Sequence, residues 1–505
     1  MNKSEYISGL ICPKALWLEI WQPELKEVST ALGCVERQFQ ELKILAQGLV
    51  QGGSLIPTTG LTQSERLNLT ELALRNDQTI YDACFLHNDC LIVVDILNKG
   101  KVGWELYDVQ YSGIMDSICL EELAFQYYAV TECGLPLAKA IVLQVNNKYS
   151  KRGKLDPAKL FTSNNLTRDV KDILLNVSEN VEKLSEILED SEPDVRIGFY
   201  CNNPYECAFK GYCWYNIPYD SVFDLQGYGI NKYSCYRSGI IRLEELQPSL
   251  LHGKQRIQVE TALNKKVHIS LKQLNEFLST SWHPRCFLDI DDISTVIPLY
   301  DGLHPHQPLA ISFSIHIQEH RDSKLSHCEF RPKSTEDPRK DLLVNLIKNI
   351  PENACIIVYD KARVADLLRG LASTSIELNR KVRHVLDNMI DLMEPFKAWH
   401  IYSWRQRGEH SLNSVLSAFV NDWNQNEPVD SIRLNLTDIW FRHWLKADMA
   451  TIGDTDSLNN MLGELSIIQR NRSNGMARLL DVMEQHNTKV KHFGGYGRDY
   501  ETFQK

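Results

Sequence analysis

Two groups of residues in this sequence have the types and spacing to do chemistry. The first is a pair of carboxylates carried on short apolar runs. CLIVVDIL holds Asp95, and WELYDVQ holds Asp108 two residues before Gln110. Alternate residues of an extended strand share a face, so Asp108 and Gln110 point the same way, and pairing of the two runs brings Asp95 towards that face. Converging carboxylates are costly unless a cation neutralises them. Hard divalent ions such as Mg²⁺ or Mn²⁺ favour oxygen ligands of this kind. A bound ion of this type generates hydroxide and stabilises the transition state of phosphodiester hydrolysis. Solvated acidic residues on two edge strands give the same spacing.

The second group is CNNPYECAFKGYCW, where Cys201, Cys207 and Cys213 follow one another at even intervals. A soft metal site usually takes four thiolates, so this run is one short. Most of the other cysteines, such as Cys84, Cys90, Cys286 and Cys355, lie within apolar segments and read as small hydrophobes.

These residues need elements to position them. Residues 1–25 read as one short helix ending at Gln22-Pro23, and 30–50 as an amphipathic helix closed by Gly52-Gly53. TIYDACFL, CLIVVDIL and GWELYDVQ read as strands. Asp116 opens a helix over 116–133 that Gly134 closes, AKAIVLQV is a strand, and 165–190 is helical. This is an α/β domain over 1–215. Residues 216–280 read as a linker in which Gly227-Tyr228-Gly229 forms a possible helix-hairpin-helix, or a plain helix–helix turn. A second α/β pattern fills 281–505: RCFLDIDDI, QPLAISFSIHIQE, KLSHCEFRP and ACIIVYDKA as strands, with helices near 338–350, 362–395, 410–423 and 456–486.

Composition is that of a globular protein, with 505 residues, 43% hydrophobic and 24% charged, and no apolar run long enough to span a membrane. The N-terminus lacks the pattern of a secretory signal, so the expected location is the cytoplasm, where thirteen cysteines do not build a disulfide framework. A net charge of −10 argues against a strongly basic, general nucleic-acid binder but permits a local basic groove.

On Asp95, Asp108-x-Gln110 and the cysteine run, the region 1–214 resembles the RecB-type iron–sulfur nucleases of the PD-(D/E)XK class, the kind found in CRISPR adaptation and in the AddB subunit of helicase–nucleases. Gln110 stands where that class usually has lysine. The resemblance implies a further acidic ligand from the early helix, for which Glu36 and Glu41 are alternatives with nothing to choose between them; a solvated helix face is the other reading of each. The resemblance makes Cys12, in SGLICPKALW, the fourth thiolate beside Cys201, Cys207 and Cys213. Four thiolates without histidine suit a [4Fe–4S] cluster, or zinc as the alternative. It also makes Gln126 in ELAFQYYAV, with Tyr127 or Tyr128, a candidate contact to DNA or the active site. NNKYSKRG offers Tyr149, Lys151 and Arg152 to phosphate and base; a solvated loop reads equally well.

The whole chain resembles a bacterial group that joins this nuclease to a DnaQ-like, ribonuclease H-fold exonuclease domain, on FLDIDDI, IPLYDGLHPHQPLAISFSIHI, VYDKARVADLL and EHSLNSVL among other stretches. Exonucleases of that kind need four acidic residues around two metal ions. Here Asp289 and Asp291 form a D-x-D pair, Asp360 is near, Arg363 and Arg472 take acidic positions, and Asp391 reads as structural. The second domain is therefore expected to keep the fold and to have lost catalysis. The function implied is a Mg²⁺- or Mn²⁺-dependent deoxyribonuclease acting on single-stranded DNA or DNA ends. The alternative is a catalytically impaired nucleic-acid-binding or scaffold protein.

Overall fold

The computed structural model describes residues 1–27, 32–372, 376–423, 428–445 and 452–493. The chain forms two compact α/β units. The first comprises Met1–Asn216 with Thr295–Gln307, and the second Ile217–Ser294 with Pro308–Lys505.

In the first unit, helix α1 (Lys3–Ile11) opens on a capping box between Asn2 and Glu5. It ends at Cys12, whose backbone is extended, and Pro13 then starts α2 (Pro13–Trp21). The single helix expected over 1–25 is thus two, because the proline has no N–H with which to continue the first. There follow α3 (Leu32–Gln47), β1 (Ser54–Leu55), α4 (Gln63–Asn76), β2 (Thr79–His87), β3 (Cys90–Lys99), β4 (Trp104–Gln110), α5 (Ser117–Glu132), β5 (Leu137–Val145), α6 (Pro157–Leu160), β6 (Phe161–Asn165), α7 (Thr167–Glu189) and α8 (Lys210–Cys213). Asp116 caps α5 by accepting from the Cys119 N–H at 3.0 Å. The strands form one sheet in sequence order, β1 to β6. β2, β3 and β4 run antiparallel, β4 and β5 parallel. Leu123, Phe125 and Val130 of α5 and Val177, Val181 and Leu184 of α7 share one apolar core with Ile92, Val94, Leu106 and Val142 of the sheet.

The second unit contains α9 (Lys232–Arg237), α10 (Gly253–Asn264), β7 (Val267–Ile269), α11 (Leu271–Leu278), β8 (Arg285–Ile293), β9 (Leu309–Gln318), β10 (Ser326–Phe330), α12 (Arg339–Asn349), β11 (Cys355–Val358), α13 (Lys361–Ala372), α14 (Ile376–Asp387), β12 (Met389–Asp391), α15 (Glu394–Lys397), β13 (Ile401–Ser403), α16 (Leu412–Phe419), α17 (Val429–Leu445) and α18 (Ile452–Phe493). Its sheet has the order β10-β9-β8-β11-β12, antiparallel through β8 and parallel from there. The long helix expected over 362–395 is broken, since Met389–Asp391 pairs with β11 as the sheet's last strand.

The stretch expected as a linker over 216–280 has its own core of Val222, Leu225, Cys235, Leu243, Leu246, Leu251, Val259 and Ala262, and belongs to the second unit. Gly227 and Gly229 do form a tight loop, at φ +82° and +141°. Its flanking N–H groups turn inward, however: Gln255 Oε1 accepts from Ile230 at 2.8 Å and Gln258 Oε1 from Gln226 at 3.1 Å. The loop therefore does not offer those two donors to phosphate. Among the described residues no helix is long and apolar enough to cross a membrane.

Candidate active site and thiol cavity

The antiparallel register of the first sheet lines up three aspartates. Tyr81 pairs with Ile96 and Ala83 with Val94, which sets Asp82 opposite Asp95; Ile96 pairs with Tyr107, which sets Asp95 opposite Asp108. At Asp95 the side chain replaces the backbone ladder, and its Oδ2 accepts the Val109 N–H at 2.8 Å. Asp82 has a φ of +53°, an unusual conformation for a non-glycine residue that marks a local kink in β2.

Two lysines meet this row. Lys43, from the apolar face of α3, lies 2.5 Å from Asp82 and 2.9 Å from Asp95. Lys3, in the first turn of α1, lies 2.9 Å from Asp108 Oδ1 and 3.8 Å from Glu122 of α5. Asp108 is fully buried and also accepts from Gln126 Nε2 at 2.7 Å and from Gln110 Nε2. Gln110 in turn donates to Glu122 at 2.8 Å. Burial raises the Asp95 carboxyl above its ordinary value; Lys43 opposes this and Asp108 adds to it. Glu122 is raised in the same way, by burial against the pull of Lys3. Burial works against the charge on Lys3, but Asp108, Glu122 and Asp95 outweigh it and lift the ammonium pKa. Among the described residues the buried Gln126 Oε1, beside Asp108, has no hydrogen-bond partner, and neither has Gln144 Nε2 on the strand position paired with Gln110.

The expected residues divide clearly. Asp95, Asp108, Gln110 and Gln126 come together. Glu36 is exposed on α3 and Glu41 half-buried, and neither is hydrogen-bonded or ion-paired to the two aspartates; the residue of that helix that reaches them is Lys43. Tyr127 is buried and donates to the Leu137 carbonyl at 3.0 Å, a packing role. Tyr149 is buried too, its hydroxyl accepting from the Asp156 N–H at 3.1 Å, so its ring is not free to stack on a base. Lys151 pairs with Asp301 at 2.9 Å, and Arg152 is exposed. Sequence reasoning missed Asp82, Glu122, Lys3 and Lys43. Two of these left a signal. Lys43 interrupts the apolar face that holds Leu42 and Ala46, and Glu122 precedes Gln126 by one helical turn.

Cys12, Cys201, Cys207 and Cys213 all line one cavity of about 210 Å³. Cys12 sits at the break between α1 and α2, where the backbone N–H groups of Ala15 and Lys14 face its sulfur. Burial raises the thiols of Cys12 and Cys207 and pushes Cys213 up to about 11, with Lys14 opposing at Cys213. Tyr205 lies on the cavity wall, and its hydroxyl pKa is raised by partial burial and then by Glu122 and Cys207. Among the described residues no three His, Cys, Asp or Glu side chains are gathered tightly enough around one point to hold a single ion as they stand.

In the second unit Asp289 and Asp291 are met by arginines. Arg472 Nε donates to Asp289 at 3.0 Å and its Nη2 to Asp291 at 2.6 Å; Arg433 Nε donates to Asp291 at 2.8 Å. Arg363 pairs with Asp292. Asp360 accepts from the Arg363 N–H at 3.2 Å and so acts as a cap on α13, while Asp391 accepts from the backbone of Asp360 and Met393. Arg433 went unrecognised in the sequence because α17 did.

A family model described as "Domain of unknown function (DUF2779)" matches residues 286–411. No curated protein and no solved structure matches the chain.

Proposed function

We propose that the first unit is a metal-dependent nuclease of the PD-(D/E)XK, RecB-like type, hydrolysing phosphodiester bonds of DNA, with single-stranded DNA or DNA ends as substrate. The observation that carries this reading is the meeting of Asp95 and Asp108 on opposed strand positions, with Gln110 and Gln126 hydrogen-bonded to Asp108. The unpartnered Gln126 Oε1 beside these carboxylates fits a cation or its hydration shell. Asp95 and Asp108 would hold Mg²⁺ or Mn²⁺, which when bound supplies charge to the phosphate and acidifies water. Gln110, anchored on Asp108 and Glu122, is placed to orient the attacking water. Glu122, its pKa raised, is suited to accept the water's proton. Lys43, shared between Asp82 and Asp95, neutralises the far end of the row and leaves charge for one cation.

Cys12, Cys201, Cys207 and Cys213 would hold a [4Fe–4S] cluster, joining the α1–α2 break to the last segment of the unit. Zinc held by the same four thiolates is the alternative. We read the second unit as a DnaQ-like, ribonuclease H-type fold that has lost catalysis, because arginines fill its carboxylates.

The test is cleavage of end-labelled single-stranded DNA with Mn²⁺ by anaerobically purified protein, beside Asp95→Ala. Loss of at least about a hundredfold is expected; cleavage that survives the substitution removes Asp95 from the site. One observation favours the non-catalytic alternative: Lys43 already bridges Asp82 and Asp95. Binding of DNA without cleavage by the wild type in either metal would establish that alternative.

A further inference from the structure

Four carboxylates, Asp82, Asp95, Asp108 and Glu122, meet two lysines at the acidic centre, and phosphodiester hydrolysis adds further negative charge in the transition state. A side-chain ammonium able to face the phosphate therefore matters more here than in a neutral site. Gln110 brings an amide without charge. Lys43 is held between two aspartates with its side chain only 9% exposed. Lys3 differs: its side chain is 31% exposed, and its Nζ touches Asp108 from the side where Glu122 and Gln110 also converge.

The position of Lys3 is fixed by its element. The capping box of Asn2 and Glu5 sets the first turn of α1. The Met1 carbonyl accepts the Leu91 N–H of β3 at 2.9 Å. One turn on, Tyr6 stacks on Phe125 of α5 with ring centroids 4.2 Å apart. The helix is thus clamped to β3 and α5, the elements that carry Asp95 and Glu122.

We propose that Lys3 supplies the positive charge of this centre, its ammonium reaching from Asp108 to a non-bridging oxygen of the scissile phosphate, in place of a cation on the strand at position 110. The proposal rests on the nuclease reading and assigns a role that Gln110 cannot fill. No bond to Lys3 is made or broken; it offsets the charge that develops on the phosphoryl oxygens as water attacks.

The experiment compares wild type, Lys3→Met, Lys3→Arg, Lys3→Met/Gln110→Lys and Asp108→Ala, each anaerobically purified and checked for thermal melting. Kinetics on single-stranded DNA are measured with Mn²⁺, and Mn²⁺ affinity by electron paramagnetic resonance. Lys3→Met is expected to lower kcat about 10²–10³-fold, the scale of losing one electrostatic stabiliser, with KM little changed. Its Mn²⁺ affinity should equal or exceed the wild type's, because a competing cation has gone, whereas Asp108→Ala should weaken it. Lys3→Arg should keep cleavage within about tenfold, and Gln110→Lys should return at least about tenfold to the Lys3→Met background. Full cleavage by Lys3→Met overturns the proposal and leaves the nuclease reading intact. So does a joint loss of cleavage and Mn²⁺ affinity in both Lys3→Met and Lys3→Arg, which makes the lysine a packing element. A wild type that binds Mn²⁺ and DNA but cleaves nothing overturns both.

Discussion

Asp291 of the second unit shows how one residue changes the chemistry of a carboxylate pair. Burial disfavours its charge, yet Arg472 and Arg433 hold its pKa below the ordinary value, while Asp289 is raised by burial despite Arg472. Removing one partner leaves buried carboxylates short of charge. Arg472→Met should therefore cost about 3–5 kcal/mol in urea unfolding of the second unit; a cost under about 1 kcal/mol would show that the pairing contributes little. The sign with pH follows from the direction of the shift. Asp291 binds its proton more weakly folded than unfolded, so its contribution is complete above the unfolded pKa, near 4, and fades as pH falls through the lower folded value. Asp289 runs the other way. The slope of stability between pH 4 and pH 2 should flatten in Asp291→Asn, and an unchanged slope would assign acid sensitivity elsewhere. The same scale shows what a sequence conceals. The closeness of Asp95 and Asp108 was legible because strand alternation is a local pattern, and Gln126 was named only through the family resemblance. Lys3, Asp82 and Arg433 were not legible, because only the assembled register and the distant α1 and α17 bring them to the aspartates.

At the level of elements, caps and turns decide where helices begin and how they sit. Asn2→Ala removes the side chain that accepts from the Glu5 N–H and should cost about 1 kcal/mol. On the nuclease reading it should also lower cleavage more than stability alone explains, since Lys3 is the next residue. Equal changes in the two would detach α1 from the site. Gly408 is a sharper case. Its φ is +80°, and a Cβ there would lie 2.5 Å from the Asp224 carbonyl oxygen. Gly408→Ala should lower the melting temperature of the second unit by several degrees, and a neutral result would mean that the loop relaxes. Strands β2 to β5 and β8 to β11 and helix α5 were readable from periodicity and capping, whereas the short β1 and β6 were not. The split at Cys12-Pro13, helix α4 and strand β12 were not, because each is short or mostly polar and takes its shape from what it packs against.

For the molecule as a whole, the thiol cavity links the beginning of the first unit to its end. On the iron–sulfur reading, a cluster joining Cys12 to the 201–213 segment would close nearly all of that unit into one loop and so restrict its unfolded chain. If the four thiols hold a cluster, Cys12→Ala or removal of iron by chelation should lower the melting temperature of the first unit and leave that of the second unchanged. An equal loss in both would mean that the two units unfold together, and no loss in either would remove the cluster's structural role.

Residues 295–307 belong to the first unit although the chain on both sides belongs to the second. Within that unit the Val296 N–H donates to Gln38 Oε1 at 2.9 Å, and the Lys151 N–H to the Leu303 carbonyl at 3.0 Å. A gene rearrangement with a single breakpoint at residue 216 would thus move an incomplete first unit and leave its missing piece behind as an insertion in the second. The first unit is therefore complete only when residues 295–307 of the later chain accompany residues 1–216, so the two halves have to be exchanged together.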